Sequence, residues 1–381
     1  MRAGDDTTPT VLLVYPESWL ARRRKEWAPL AAAASAAGLR AIVAHWGALA
    51  VADGAVKARE CMVQRRGAGD LTPDRDVAFS PSVLLTTWGV DWENQGLFDE
   101  IVALSGCRHS ESALLAWLDG KCELELCLRS YEARTGASIP RPHTLVSEEI
   151  SAGGPGPGDE LVIVKPSRGG QCKGIDIVPR GAVAAMAGET AAGTRPPFVV
   201  QSLVDDVFLY EGRRWDMRVH AMASSLSPLE CRVYREGVAK TAGVVARPGS
   251  GRLEEWLNAE SYLEDVRPAE NLSVTEMLGY LEREYHPLPG FWARLDDLVR
   301  DVFQSIALYA EEWPRPLGRS FLFAGFDLIV ERRGDRDYEL RLLELNSHPG
   351  LGWEARIASR LAPYHRAWFG DLLELVDAEG P

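Results

Sequence analysis

No stretch of this chain stays apolar for the ~20 residues that span a bilayer, and VLLVYP near the start is too short for the core of a signal peptide. The expectation is therefore a cytoplasmic protein without a membrane partner. Paired cysteines are missing too. Cys61, Cys107, Cys122, Cys127, Cys172 and Cys231 are scattered with no CxxC and no metal-ligand spacing, so neither zinc nor disulfides are expected. Basic charge is also in deficit: 42 Lys and Arg face 55 Asp and Glu, a formal net charge of −13. That balance argues against nucleic acid, which selects a basic face. The one basic run, RRRK at Arg22 to Lys25, reads as a solvated helix face.

What remains is an ordinary globular composition, 46% apolar and 25% charged over 381 residues, enough for two or three packed lobes. Residues 11–15, 40–45 and 82–87 are short β-rich runs separated by helix-favouring stretches such as LAAAASAAG, which suggests a small α/β lobe ending near residue 100. Glu111 to Thr135 has a helical pattern. SAGGPGPGDE at 151–160 is a turn that no helix or central strand tolerates. Strands are expected at 161–166, 175–178, 198–203, 213–223 and 230–238, and helices at 289–312 and 364–378.

The stretch FLFAGFDLIVERRGDRDYELRLLELNSHPG, residues 321–350, places acids inside apolar strands. In LRLLELN, Glu344 and Asn346 are two apart and share a face, with Leu343 and Leu345 on the other. A hairpin turning near Asp335 and Arg336 sets Asp327 opposite Glu344. Two carboxylates about 4 Å apart repel by roughly 1 to 4 kcal/mol, so a cation belongs between them. Three oxygen donors without His or Cys suit a hard ion such as Mg²⁺. A hairpin with its polar face in solvent explains the same spacing.

Lys165 leaves the apolar run LVIV for the loop SRGGQCKG, which holds Gly169, Gly170 and Gly174. Glycines let backbone amides approach an anion, and the lysine adds a point charge. The loop matches neither GxxxxGK[ST] nor GxGxxG, and a structural hairpin with a solvated lysine fits it equally.

The order of lysine, glycine flap, strand VVQSL, paired basic strands and D…ExN resembles the ATP-grasp superfamily, in which two lobes hold ATP. At YEGRRWDMRVHAMA, YREGVAKTA and GFDLIV…LLELNSHPGL the chain is similar to tubulin tyrosine ligase-like enzymes, over roughly residues 111–350. The resemblance implies an α/β (α+β) ATP-grasp fold. An N-terminal α/β lobe would cover 1–105, a central lobe with the flap 106–196, and a C-terminal lobe with the metal triad 197–381. It implies ATP and Mg²⁺ as cofactors and assigns Asp327, Glu344 and Asn346 to the metal. Lys165 and Lys121 would contact the phosphates, with Gln171 and Cys172 in the flap beside them. Gln201, Ser202, Leu203 and Val204 would form the segment that reads adenine, and Arg214 and Asp216 would lie on the adenine side. Arg218, with Lys240 near it, would reach the substrate carboxylate and the transferred phosphate.

The sequence departs from that pattern at several places. Lys240 stands where the family commonly has a second arginine, which replaces a bidentate clamp by a point charge. Gln171 and Cys172 stand where Arg-Gly is expected. The His-Leu-Thr-Asn acceptor signature has at best a remnant in ENLSVTEM, with Asn271 and Ser273. His220 and His348 lie near the motifs and read as packed or solvated. The resemblance implies a ligase that forms an amide through an acylphosphate, joining an amino acid to a carboxylate on a small molecule, peptide or protein tail. The net charge and lack of a targeting module favour the small molecule or peptide. A phosphotransferase on the same scaffold, or a non-catalytic nucleotide-binding scaffold, is the alternative.

Overall fold

The computed structural model describes residues 9–15, 34–64, 71–86, 93–110, 113–151, 158–170, 172–247, 249–256, 271–312, 320–347, 366–367, 370–371 and 374. These form three sheets in chain order, a mixed α/β architecture.

The first sheet contains β1 (Thr10–Tyr15), β2 (Arg40–His45), β3 (Leu49–Ala52), β4 (Ala55–Gln64), β5 (Leu71–Phe79), β6 (Val83–Thr86) and β7 (Arg108–His109). Helix α1 (Gln95–Ser105) packs on it through Phe98 and Ile101. β1 lies parallel between β2 and β6, and β6 parallel to β7. Val11 to Val14 and Val83 to Leu85 are buried almost completely, as continuous apolar strands covered on both faces should be. Strands β3 to β5 pair antiparallel and were not anticipated. Their signal was Asp53-Gly54, both left-handed with φ of 54° and 71°, the two-residue hairpin turn that Asp-Gly favours.

The second sheet follows α2 (Ala113–Leu118) and α3 (Lys121–Thr135). The single helix expected over 111–135 is thus two, broken at Asp119-Gly120, where Gly120 is extended. Then come β8 (Thr144–Val146), α4 (Ser147–Ser151), β9 (Leu161–Pro166), β10 (Asp176–Pro179), α5 (Val183–Ala191) and β11 (Phe198–Ser202). The strands lie antiparallel in the order β10-β9-β11-β8. Val162, Val164, Phe198 and Val200 pack with Ile150 and Val183. By alternation, Ile163, Lys165, Val199 and Gln201 project from the opposite face.

The third sheet has the order β14-β13-β12-β15-β16. It comprises β12 (Trp215–Leu226), β13 (Leu229–Thr241), β14 (Asn271–Ser273), β15 (Leu322–Arg333) and β16 (Asp337–Asn346), with α6 (Val274–Glu284) and α7 (Phe291–Ala310) after β14. Both helices cover one face. Met217, Val219, Phe326, Leu328, Leu340 and Leu342 meet Leu295, Val299, Val302 and Phe303 there in the largest core of the described residues. The expected helix at 289–312 is α7; that at 364–378 falls largely outside the described residues. No described helix is long and apolar enough to cross a membrane.

Candidate active site

The face of the third sheet turned away from α6 and α7 is polar because alternation puts it out of phase with the core. On β12 the core residues are Met217 and Val219, which leaves Asp216 and Arg218 on the other side. On β15 Phe326 and Leu328 are core, which leaves Asp327. The hairpin joining β15 and β16 turns at Gly334 to Arg336 and sets Asp327 directly across from Glu344, and Gly325 across from Asn346.

One detail departs from simple alternation. Tyr338, Leu340 and Leu342 point into the core, and strict alternation would send Glu344 after them. The register shifts between the Asp327–Glu344 and Leu328–Leu342 pairs, so Leu343 is an extra residue. This bulge resets the phase: Leu345 is buried, and Glu344 joins Asp327 outside the core. Leu343, expected in the core beside Leu345, is only half-buried.

Cations surround these acids. Arg218 donates through Nε to Asp327 Oδ1 at 2.6 Å and through Nη2 to Oδ2 at 2.8 Å. Lys240 Nζ lies 3.2 Å from Asp327 Oδ2 and 2.6 Å from Asp216 Oδ1. Lys121 Nζ lies 3.3 Å from Glu344 Oε2. Burial alone would raise the Asp327 carboxyl, but Arg218 and Lys240 together hold it well below the usual carboxylate range. Burial likewise acts to lower Lys240, and Asp216 and Asp327 outweigh it and raise that ammonium. Asp216 is the less compensated acid: burial raises it, and the charge of Asp327 opposes the relief that Lys240 gives.

The second sheet supplies the opposite wall. Lys165, 6% exposed, is lowered by burial and drawn back up chiefly by Glu344. Lys121 Nζ reaches both Glu344 Oε2 and the flap carbonyl of Gly169, which sets the flap beside the polar face, and Lys165 and Cys172 feel the charges of Asp216 and Glu344. Burial and Asp216 push the Cys172 thiol up to about 11. The loop between β9 and β10 is the expected hairpin tip, with Gly169, Cys172 and Gly174 at positive φ. Gln171 lies outside the described residues.

In the segment expected to read adenine, several polar groups are already paired. Ser202 N donates to His143 O at 2.9 Å, and Val204 O accepts from Arg214 Nη1 at 2.8 Å. Gln201 is buried, its Nε2 donates to Thr144 Oγ1 at 3.2 Å, and its Oε1 has no donor among the described residues. Arg214 also bonds Asp205 and stacks 3.6 Å over Trp256, so it braces this segment. Leu203 follows β11 with its side chain half-buried.

Ser273 is the N-cap of α6 in a capping box with Glu276, which accounts for it without an acceptor role. Asn271 pairs in register with Lys240. His220 is fully buried and stacks on Phe323, 5.6 Å between centroids, as a packed histidine. His348 lies outside the described residues.

A divalent cation fits this donor set in kind. Asp327, Glu344 and Asn346 offer only oxygens and the amide at adjacent positions on one face, the chemistry of a hard ion. Among the described residues no group of three or more His, Cys, Asp or Glu is suited to a metal. Arg218 holds both Asp327 oxygens in this structure, and an ion there would share them.

Lys121 thus bridges Glu344 on the third sheet and the Gly169 carbonyl in the flap of the second, so a lysine and glycine loop lie beside acids and an amide. The model of the tubulin-tyrosine ligase family matches residues 141–365, more than half of the chain. The protein belongs to that family. It is 23% identical over 218 residues to the human (Homo sapiens) tubulin polyglutamylase TTLL7, covering 51% of this chain and 23% of that protein. It is 27% identical over 242 residues to the tubulin polyglutamylase ttll-5 of Caenorhabditis elegans, covering 57% of this chain and 31% of that one. A probable tubulin polyglutamylase, ttll-9 of the same organism, is 34% identical over 86 residues, 22% of this chain and 21% of the relative. The chain thus spans less than a third of the length of these relatives.

Proposed function

We propose that the protein is an ATP-dependent carboxylate–amine ligase and that its nucleotide lies between the second and third sheets, the two clasping lobes, with the first sheet as a separate N-terminal lobe. The observation that carries this reading is the register pairing of Asp327 with Glu344, with Asn346 beside them, opposite Lys165 and Lys121.

The charge sum supports it. Arg218, Lys240, Lys165 and Lys121 bring four positive charges, and Asp216, Asp327 and Glu344 bring three negative ones. A triphosphate carries several more, so the cleft is balanced only with added divalent charge. When bound, Mg²⁺ held by Asp327, Glu344 and Asn346 would neutralise the phosphate oxygens. Lys165 and Lys121 would hold the phosphates from the flap side, with Cys172 and Gln171 near them. The adenine would lie by Gln201 to Val204, where the buried Gln201 Oε1 lacks a donor among the described residues, with Arg214 and Asp216 behind it.

An oxygen of the acceptor carboxylate attacks the γ-phosphorus and ADP leaves, giving an acylphosphate. The amine of an amino acid then attacks the acyl carbon, phosphate departs and the amine loses a proton. Arg218 would hold the carboxylate and stabilise the charge that develops during transfer, with Lys240 beside it. Orientation in a closed cleft could supply about 7 to 11 kcal/mol, and no nucleophilic side chain is required.

The relatives are named tubulin polyglutamylases, which makes a protein carboxylate the better supported acceptor and glutamate the first amino acid to test. The small-molecule acceptor suggested by net charge has no comparable support. Incubating the protein with Mg-ATP, acceptor peptides and hydroxylamine tests the reaction class. A hydroxamate and stoichiometric ADP are expected. ADP with a phosphate ester instead, or no ATP consumption with any amino acid or peptide, contradicts the proposal.

A further inference from the structure

The start of α3 joins the two walls of the cleft. Asp119 Oδ1 accepts from Ser347 N at 3.0 Å, directly after Asn346. Lys121 Nζ reaches Glu344 on one side and the carbonyl of Gly169 in the flap, at 3.4 Å, on the other. Ser167, 3% exposed and two residues beyond Lys165, is held at every polar atom. Its N donates to Pro197 O at 2.8 Å, and its O accepts from Lys121 N at 2.9 Å. Its Oγ accepts from Cys122 N at 3.2 Å and donates to Glu123 Oε2 at 2.8 Å.

The other oxygen of Glu123 takes the next residue of the flap. Arg168 Nη2 donates to Glu123 Oε1 at 3.2 Å, and the same guanidinium reaches the carbonyls of Ala116 and Trp117 at 2.8 and 3.0 Å. Gly120 makes room for this. A Cβ there would collide with the Glu123 carboxylate and lie 3.0 Å from Arg168 Nε. The extended glycine that breaks the helical run thus lets Glu123 fold back across the helix N-terminus, the end at which a carboxylate is favoured.

We infer that Glu123 is a positioning residue: by gripping Ser167 and Arg168 it locks the base of the flap to α3 and so sets Lys165 and Lys121 at a fixed spacing across the phosphate site. The inference rests on the nucleotide site proposed above. Its consequence is that the root of the flap up to Arg168 is tied to α3, while Gly169 and Gly174 at positive φ lie beyond the tie. Lost orientation at the phosphates, and not lost adenine contact, is then the signature of breaking the clamp.

The test is calorimetric titration of Mg-ATP and, separately, adenosine into the full chain. Glu123→Ala should weaken Mg-ATP by about tenfold, the weight of one charge-assisted hydrogen bond, and leave adenosine unchanged. Glu123→Gln keeps an acceptor for Ser167 and should recover part of the loss. Arg168→Ala, at a half-exposed side chain, opens the clamp from the flap side without disturbing the core and should act in the same direction. Wild-type Mg-ATP affinity in both Glu123→Ala and Arg168→Ala overturns the clamp. So does an equal loss for adenosine, which marks a merely structural role. A wild-type chain that binds neither probe overturns the nucleotide site itself, a result distinct from both.

Discussion

Gly237 of the YREG segment lies in β13 beside Val219 of β12, where the pairing of the two strands is irregular. A Cβ at this position would fall well inside contact distance of the Arg218 carbonyl oxygen, 3.2 Å from the Arg218 carbonyl carbon and 3.0 Å from Val219 Cγ1. Two of these three atoms are backbone and cannot rotate away. Gly237→Ala must therefore push the strands apart at the residue that holds Asp327. Overpacking of this kind costs roughly 1 to 3 kcal/mol, and about 2 to 4 °C in Tm accompanies each kcal/mol in a domain of this size. A fall in Tm of about 2 to 12 °C is expected by differential scanning fluorimetry. Displacing a positioned group by about 1 Å can cost on the order of 100-fold in rate, so ATP-dependent turnover should fall further than Tm suggests. Gly188→Ala is the control. Gly188 lies in α5 with nothing within 4 Å of an added Cβ, and the change should be neutral or stabilising by up to about 1 kcal/mol. Gly237→Ala with wild-type Tm and turnover refutes the reasoning.

Three further outcomes are expected. Glu344→Gln should lower kcat by at least about 100-fold, since Lewis-acid stabilisation is worth several kcal/mol, while circular dichroism stays native; turnover near wild type contradicts the metal role. Asp327, held below its usual range, contributes stability that is present above its unfolded value of 3.8 and is lost as pH falls through the lower folded value. Asp216, raised by burial and by the Asp327 charge, acts in the opposite sense, so Asp327→Asn compared with wild type between pH 7 and pH 2 reads the ion pair together with the relief that Asp216 gains. Asn should cost stability at pH 7, and its deficit should shrink as the pH falls below about 4; a deficit independent of pH contradicts the ion pair. Cys122 and Cys127, both pushed up to about 11 by burial, are only about one part in a thousand thiolate at pH 8. They should resist iodoacetamide until the chain is unfolded, as mass spectrometry would show.

Much of the polar face was legible because Glu344 and Asn346, two apart, share a face and a single hairpin brings Asp327 near them, although the exact pairing needs a bulge. The bulge at Leu343 was not, since adjacent leucines carry no phase and only the register reveals which one is extra. The break at Asp119-Gly120 hid within a helical pattern, although the glycine was its visible mark. Contacts remote in sequence were out of reach altogether. The stacking of Arg214 on Trp256 and the grip of Lys240 on both Asp216 and Asp327 depend on packing between segments that no local periodicity links. The antiparallel strands β3 to β5 were missed because only the Asp-Gly turn announces them; β4 buries Val56, Ala58, Cys61 and Val63 at uneven spacing.

A crystal structure of the chain with Mg²⁺ and a non-hydrolysable ATP analogue tests the central claim most directly. The account predicts a triphosphate between Lys165 and Lys121 on one side and a metal bound by Asp327, Glu344 and Asn346 on the other. A nucleotide seated elsewhere, or one whose phosphates leave those three side chains in bulk solvent, contradicts it.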